Sequence, residues 1–331
     1  MGATAPAPPA RIRPASMTPA PTASSTTIVA VTGATGFVGH GIVAALRRRD
    51  TRVRALARRA DRTLEADAEV VQGTLQDPLS LARLVEGCSV LVHCAGAVRA
   101  PTAAAFHQIN ADATAVLGEL CAEYGARLVL VSSLAARQPG LSPYAASKRA
   151  AEDALARMPG LDWCAVRPPL VYGPGDRATL PLFRMMRHGW LAVPAVPGAR
   201  FSAIYRDDLG EAVTALVESD ARGIFDVSDT APDGYTWNDM AAAAAGHLQR
   251  RVRMIAVPRR LMQTVAAANG VVAKLTGGAP MVYPGKVREL YHIDWACGAG
   301  PLMRATGWRP RVALGQGVAQ TFRWYADNDW L

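Results

Sequence analysis

The sequence predicts an α/β fold, a doubly wound parallel sheet carrying a smaller C-terminal lobe. Three observations predict it. Residues 28–32 read I-V-A-V-T, apolar or β-branched throughout, as suits a strand buried on both faces. Gly33, Gly36 and Gly39 follow at three-residue spacing and open an amphipathic helix with Phe37, Val38, Ile42, Val43 and Leu46 on its apolar side. A second strand at 53–57 closes a unit of about thirty residues, the length of a strand–helix–strand crossover.

Glycine has a physical purpose in such a loop. One glycine lets the chain turn tightly, one lets backbone approach a pyrophosphate, and one lets the helix pack close to the strand. The helix N-terminus then turns free N–H groups and a positive dipole end towards the phosphates.

The chain has 331 residues, which suits a core of about 27–178 with returning segments near 199–228 and a lobe built mainly from 179–331. Residues 1–26 are rich in Ala, Pro, Thr and Ser, with no apolar stretch of a secretory signal. They read as a disordered tail, and either Met1 or Met17 could be the start. No run of 18 uncharged apolar residues is present, so no membrane-spanning helix is expected. The cysteines, at 88, 94, 121, 164 and 297, are odd in number and form no Cys-x-x-Cys pair. That argues against a disulfide framework and a zinc site and for a reducing cytoplasm. Net charge is +9, carried by 33 arginines and only three lysines. This excess reflects either an arginine-rich genome or attraction to anionic lipid or phosphorylated ligands. No nucleic-acid recognition module is visible, and nucleic acid is not an expected partner.

The remaining elements follow in order. The second strand ends in Ala57-Arg58-Arg59, where an acidic residue would favour NAD through the ribose. Arginine suits a 2′-phosphate, so NADP(H) is the expected cofactor, with NAD the alternative if both arginines are merely solvated. Residues 70–72 form a third strand, followed by Thr74 and Asp77. Residues 89–94 form a fourth, followed by the small pair Ala95-Gly96, which would let the chain pass beside a cofactor. A helix over 103–124 carries Asn110 and Thr114. A fifth strand at 127–133 places Ser132 and Ser133 at its carboxyl end, where ligands bind in open α/β sheets.

Next comes Ser142-Pro143-Tyr144-Ala-Ala-Ser-Lys148, with Pro143 suited to a helical first turn and Tyr144 and Lys148 on one face at i and i+4. With eight tyrosines and three lysines in the chain, chance supplies such a pair only about 0.07 times. Chemistry explains the combination. A free phenol titrates near 10, and a neighbouring ammonium and an oxidised nicotinamide would lower it. The phenol can then exchange a proton with a substrate oxygen. The adjacent serines leave open which of them polarises that oxygen. A sixth strand at 162–167 ends in Arg167-Pro168-Pro169-Leu-Val171-Tyr172-Gly173-Pro174-Gly175.

Together these motifs, over about 27–210, resemble the extended branch of the short-chain dehydrogenase/reductase superfamily, with its Rossmann-type sheet. The resemblance selects Ser133 over Ser132 as the catalytic serine. It implies a catalytic set of Ser133, Tyr144, Lys148 and Asn110, although Asn110-Ala-Asp-Ala-Thr114 matches the family's Asn-x-x-Gly-Thr only in part. It also implies that Lys148 contacts the nicotinamide ribose and that the Pro168–Val171 loop passes the nicotinamide side. An acidic residue that commonly touches the adenine is missing beside Thr74. The expected cofactor-binding residues are Gly33, Thr35, Gly36, Phe37, Val38, Gly39, Arg58, Arg59, Thr74, Leu75, Ala95, Gly96, Ser132, Tyr144, Lys148, Pro168 and Val171, with no metal ligand among them.

In the lobe, 199–208 returns to the core, 224–228 reads as a short strand, and 237–247, 258–275 and 283–291 read as helices. Residues 254–282 are apolar apart from Arg259, Arg260 and Lys274. They form either a helix pair covering the pocket or a surface that admits lipid and rests on a membrane. His247 and His292 stand apart and read as structural or solvent-facing. Leu134-Ala135-Ala136 follows the serines without the acid of the sugar dehydratases, and Arg200-Phe201-Ser202 replaces the epimerases' Arg-Asp-Phe. The pattern leans towards hydroxysteroid-dehydrogenase-like, dihydroflavonol-reductase-like or lipid ketone reductases, including those acting on 3-oxo-ceramide. The expected protein is an NADP(H)-dependent oxidoreductase interconverting a ketone and a secondary alcohol on a hydrophobic substrate, as monomer or homodimer. The alternatives are a nucleotide-sugar epimerase and a non-catalytic dinucleotide-binding subunit of a respiratory complex.

Overall fold

The computed structural model describes residues 27–59, 62–276, 278, 279 and 282–331. The expected tail over 1–26, and with it the choice between Met1 and Met17, lies outside these residues. The first half alternates strands and helices: β1 (Ile28–Thr32), α1 (Phe37–Arg47), β2 (Arg52–Ala57), α2 (Arg62–Asp67), β3 (Glu69–Gln72), α3 (Pro78–Val85), β4 (Val90–His93), α4 (Ala103–His107), α5 (Ala113–Tyr124), β5 (Arg127–Val131), α6 (Pro143–Ala156) and β6 (Trp163–Arg167). The chain continues through β7 (Leu170–Tyr172), α7 (Leu180–Arg187), β8 (Trp190–Pro194), β9 (Arg200–Phe201), β10 (Ala203–Tyr205), α8 (Arg206–Val217) and β11 (Gly223–Asp226). It ends with α9 (Trp237–Leu248), β12 (Arg253–Val257), α10 (Arg259–Thr276), α11 (Pro284–Leu290), β13 (Asp294–Trp295), α12 (Gly300–Thr306) and α13 (Leu314–Asp327).

Seven strands form one parallel sheet in the order β11-β6-β5-β4-β1-β2-β3. The alternation within β1 shows how it is held. Val29 and Val31 face one layer with Ile42, Val43 and Leu46 of α1 and Leu209, Val213 and Leu216 of α8. Ala30 faces the other, with Leu81 and Leu84 of α3, Leu117 of α5 and Leu155 of α6. The strand order reverses between β1 and β4, which opens a crevice at the carboxyl edge there.

A third cluster builds the lobe around Tyr172, Phe183, Met186, Phe201, Met240, Phe322 and Tyr325. Its parts come from both sides of α8 and β11, which belong to the sheet layers. Tyr325 donates its hydroxyl to the Asp176 carbonyl, and Arg184 donates to the Trp330 carbonyl at 2.8 Å. His247 stacks on Phe322, and His292 tilts against Trp295.

The structure departs from the sequence reading in three places. The expected helix over 103–124 is divided by a π-turn, Gln108–Asp112. The fifth strand stops at Val131, because Ser133 caps a 3₁₀ turn, Leu134–Arg137, by accepting the Ala135 N–H at 3.2 Å. The apolar stretch from 254 begins as a strand, because Arg253–Val257 (R-M-I-A-V) pairs in parallel with β8 before the helix starts. Among the described residues, no helix is long and apolar enough to cross a membrane.

Candidate active site

The parallel register brings the carboxyl ends of β1, β2, β4, β5 and β6 to one edge, and with them most of the expected site. The glycine loop follows β1. Gly33 has φ +73°, and a Cβ there would lie 2.6 Å from the Ala95 nitrogen; one at Gly39 would lie 2.0 Å from the Gly33 carbonyl oxygen. Only bare backbone fits, so the loop lies flat against Ala95 and α1 starts directly behind it. The helix has no side-chain cap and no acidic residue in its first turn. Its N–H groups are therefore free to meet an anion, and the cradle fits a dinucleotide pyrophosphate. Thr35 and Gly36 are exposed on this loop, and Phe37 and Val38 are partly so.

Arg58 and Arg59 are both exposed just past β2, one strand from the glycine loop. Thr74 and Leu75, past β3, are half-buried. Asp77 is occupied elsewhere: it caps α3 by accepting the Leu79 N–H at 3.1 Å.

The catalytic candidates converge past β4 and β5. Tyr144 and Lys148 lie on α6, whose start is fixed by Pro143 and by Ser142, which accepts the Ala145 N–H at 2.9 Å. The Lys148 ammonium donates to the Val131 carbonyl at 2.7 Å. The Ser133 hydroxyl lies near enough to Tyr144 to favour its phenolate slightly. Asn110 sits on the π-turn, which places its side chain to bond both backbone groups of Ala97, accepting at 2.7 Å and donating at 3.0 Å. Its amide also donates to the Ser147 hydroxyl at 2.9 Å. Gly96 passes between these groups, with its would-be Cβ 3.0 Å from Asn110 Oδ1 and 3.9 Å from Lys148 Nζ. Pro168 takes the Leu134 N–H at 2.9 Å, and Val171 lies on β7.

The two serines separate clearly. Ser132 is buried, and its hydroxyl donates to Glu152 Oε1 at 2.5 Å, whereas Ser133 meets Tyr144. The Ser132 hydroxyl is thus engaged by Glu152 inside the protein.

Burial pushes the Tyr144 phenol up to about 12, against a smaller downward pull from Ser133. Burial pulls Lys148 down to about 8, while Cys94 and Glu152 act in the opposite sense. Burial also pulls His93 down to about 3, with Lys148 adding to it. His93 is therefore a neutral partner to the Thr32 hydroxyl, 2.7 Å away.

Sequence reasoning missed four contributors. Glu152 pairs with Arg167 and holds Ser132; its signal was a carboxylate one turn beyond Lys148. Phe106 lies edge-on to Tyr144, with ring centroids 6.2 Å apart, and 5.9 Å from the ring of Tyr283. The Tyr283 hydroxyl is buried with no hydrogen-bond partner among the described residues. Glu289 on α11 accepts from Ser142 and from Lys286, tying the lobe to the start of α6. No local motif marks the last three.

Comparison with known proteins places this arrangement. Residues 29–227 match the family described as the NAD dependent epimerase/dehydratase family. The chain is 38% identical over 309 residues to a protein named ceramide reductase from Caulobacter vibrioides, covering 92% of this chain and 96% of that one. It is 32% identical over 190 residues to a 4-hydroxy-2-methyl-3-oxo-4-farnesyl-3,4-dihydroquinoline-1-oxide ketoreductase of Stigmatella aurantiaca, covering 49% of this chain and 56% of that one. The fold is similar to that of the Thermus thermophilus UDP-glucose 4-epimerase in complex with NAD, with TM-score 0.69, 22% identity and coverage of 91% and 99%.

Proposed function

This chain belongs to the NAD dependent epimerase/dehydratase family and is an NAD(P)-dependent oxidoreductase, and we propose that it uses NADPH to reduce a ketone on a long-chain, ceramide-like lipid. The observation that carries the chemistry is the placement of Tyr144 and Lys148 one turn apart on α6, with Lys148 anchored on the Val131 carbonyl at 2.7 Å at the end of β5, just before Ser133, and with the phenol held protonated by burial. A reductase needs a proton donor at neutral pH, and a protonated phenol is one. The similarity to a ceramide reductase along nearly the whole chain supports the lipid substrate.

In this reading the glycine cradle and the N-terminus of α1 hold the pyrophosphate, and Arg58 and Arg59 meet the 2′-phosphate. NADPH, when bound, supplies the two electrons and the hydrogen that the carbonyl carbon takes up. Ser133 holds the carbonyl oxygen by a hydrogen bond, and Tyr144 gives that oxygen its proton, which yields the alcohol. Lys148 stays charged below pH 8 and supplies the positive field next to the developing phenolate. Asn110, tied to Ala97 and Ser147, keeps the loop after β4 against α6.

The test is NADPH oxidation by the purified protein with a 3-oxo-ceramide, a keto-steroid and a UDP-sugar in parallel. Turnover of the keto-lipid, rising with acyl chain length, is expected, since each buried methylene contributes about 0.8 kcal/mol. UDP-sugar interconversion with no response to keto-lipids would replace this reading with the epimerase one.

A further inference from the structure

Nine of the fourteen large apolar side chains that stand exposed among the described residues fall at position 190 or within 254–293. The centre of this patch is α10, 18 residues long and therefore about 27 Å from end to end. Among its described side chains only Ala266 is buried. Leu261 and Val265 lie one turn apart on a common stripe and are 56% and 42% exposed, and Val272, on the same stripe further along the helix, is 57% exposed. The preceding strand continues the patch with Met254 and Ile255, and its register sets Arg253 beside the exposed Trp190 of β8.

The charge on this segment is one-sided. Residues 249–281 contain Arg250, Arg251, Arg253, Arg259, Arg260 and Lys274 and no aspartate or glutamate, so +6 of the chain's net +9 sits here. The five arginines are exposed. An amphipathic helix with an open apolar stripe, arginines at its start and a tryptophan at its rim has the make-up of an element that lies in the interface of an anionic bilayer. A protein partner of ordinary composition would not demand that all six charges share one sign.

We propose that α10, with β12 and Trp190, is a docking surface for an anionic lipid bilayer, with the helix lying in the plane of the interface. The surface is joined to the candidate active site. The Tyr291 hydroxyl donates to the Val257 carbonyl at 2.6 Å, linking the end of α11 to β12. The other end of α11 begins after Tyr283, whose ring meets Phe106 and through it Tyr144. Docking therefore sets the mouth of the crevice beside the membrane. The inference does not depend on which ketone the site reduces.

The test is co-sedimentation of the full-length protein with vesicles of phosphatidylcholine, with and without phosphatidylglycerol. Binding to the anionic vesicles is expected to be at least roughly ten-fold tighter and to weaken as salt is raised. L261D/V265D and R259E/R260E should each reduce it by about the same factor, while NADPH binding followed by fluorescence stays intact and reports the fold. Equal recovery in the supernatant with both vesicle types overturns the proposal. So does wild-type self-association in gel filtration that L261D/V265D abolishes without changing vesicle binding, since the face is then an interface between two copies. All readouts are independent of ketone turnover, so a wrong substrate leaves this test unaffected.

Discussion

The carboxylate of Glu152 grips the guanidinium of Arg167 with two hydrogen bonds, to Nε at 2.9 Å and to Nη2 at 2.5 Å. Glu152 is fully buried and also takes the Ser132 hydroxyl, so one side chain fastens α6 to the ends of β5 and β6. Breaking a buried pair strands the surviving charge, so Glu152→Ala should cost about 3–5 kcal/mol of stability. Denaturant unfolding followed by tryptophan fluorescence checks this; a loss below about 1 kcal/mol, the value of an exposed pair, would show that the site is not held this way.

Tyr144→Phe should bind NADPH as the parent does and lose turnover by a factor of about 100 to 10,000, the usual range for removing a general acid. Ser133→Ala, which removes the hydroxyl proposed to hold the carbonyl oxygen, should lower kcat with little change in cofactor affinity. Near-parental turnover in Tyr144→Phe would remove the tyrosine from the mechanism.

Lys148 predicts the alkaline limb of the pH profile. Its value is pulled down to about 8, so the ammonium is present at neutral pH and lost as pH rises through 8. Reduction should fall above that point with a single-proton slope, and Lys148→Arg should remove the fall while lowering the overall rate. Stability responds in the opposite sense. Between about 8 and the free-lysine value of about 10.4, the unfolded chain holds the proton that the folded chain has released, so this residue adds stability as pH rises. A rate flat to about pH 10 in the parent would count against the assignment.

Arg58→Ala/Arg59→Ala should weaken NADPH binding and leave NADH binding nearly unchanged, because only NADPH offers the 2′-phosphate. Titration of both cofactors by fluorescence decides it. Equal losses for the two would mean that the arginines act on something both share.

Much of the fold could be read from residues alone, because the sheet is made of short apolar runs and the glycine loop admits only one backbone path. The strand at 28–32 and the Tyr144–Lys148 helix are local patterns, and both are where the sequence puts them. Apart from the resemblance, the residues alone could not show which of two adjacent serines has its hydroxyl engaged inside the protein. That depends on Glu152, twenty residues away from Ser132, reaching back to claim one of them. The phenol's upward shift was hidden for a related reason: spacing reveals a neighbouring lysine, but burial depends on the whole surrounding fold. The π-turn was equally hidden, since helical periodicity does not reveal one wider turn, and the partners of Asn110 at Ala97 and Ser147 are non-local.

The interleaving of the lobe bears on how specificity can be inherited. Tyr325 is tied to Asp176, Arg184 to Trp330, and Glu289 to Ser142, while α8 and β11 between them complete the sheet. No single crossover in the gene can therefore exchange the lobe for a relative's and leave the sheet whole. A grafted chimaera would have to replace the stretches on both sides of α8 and β11 at once.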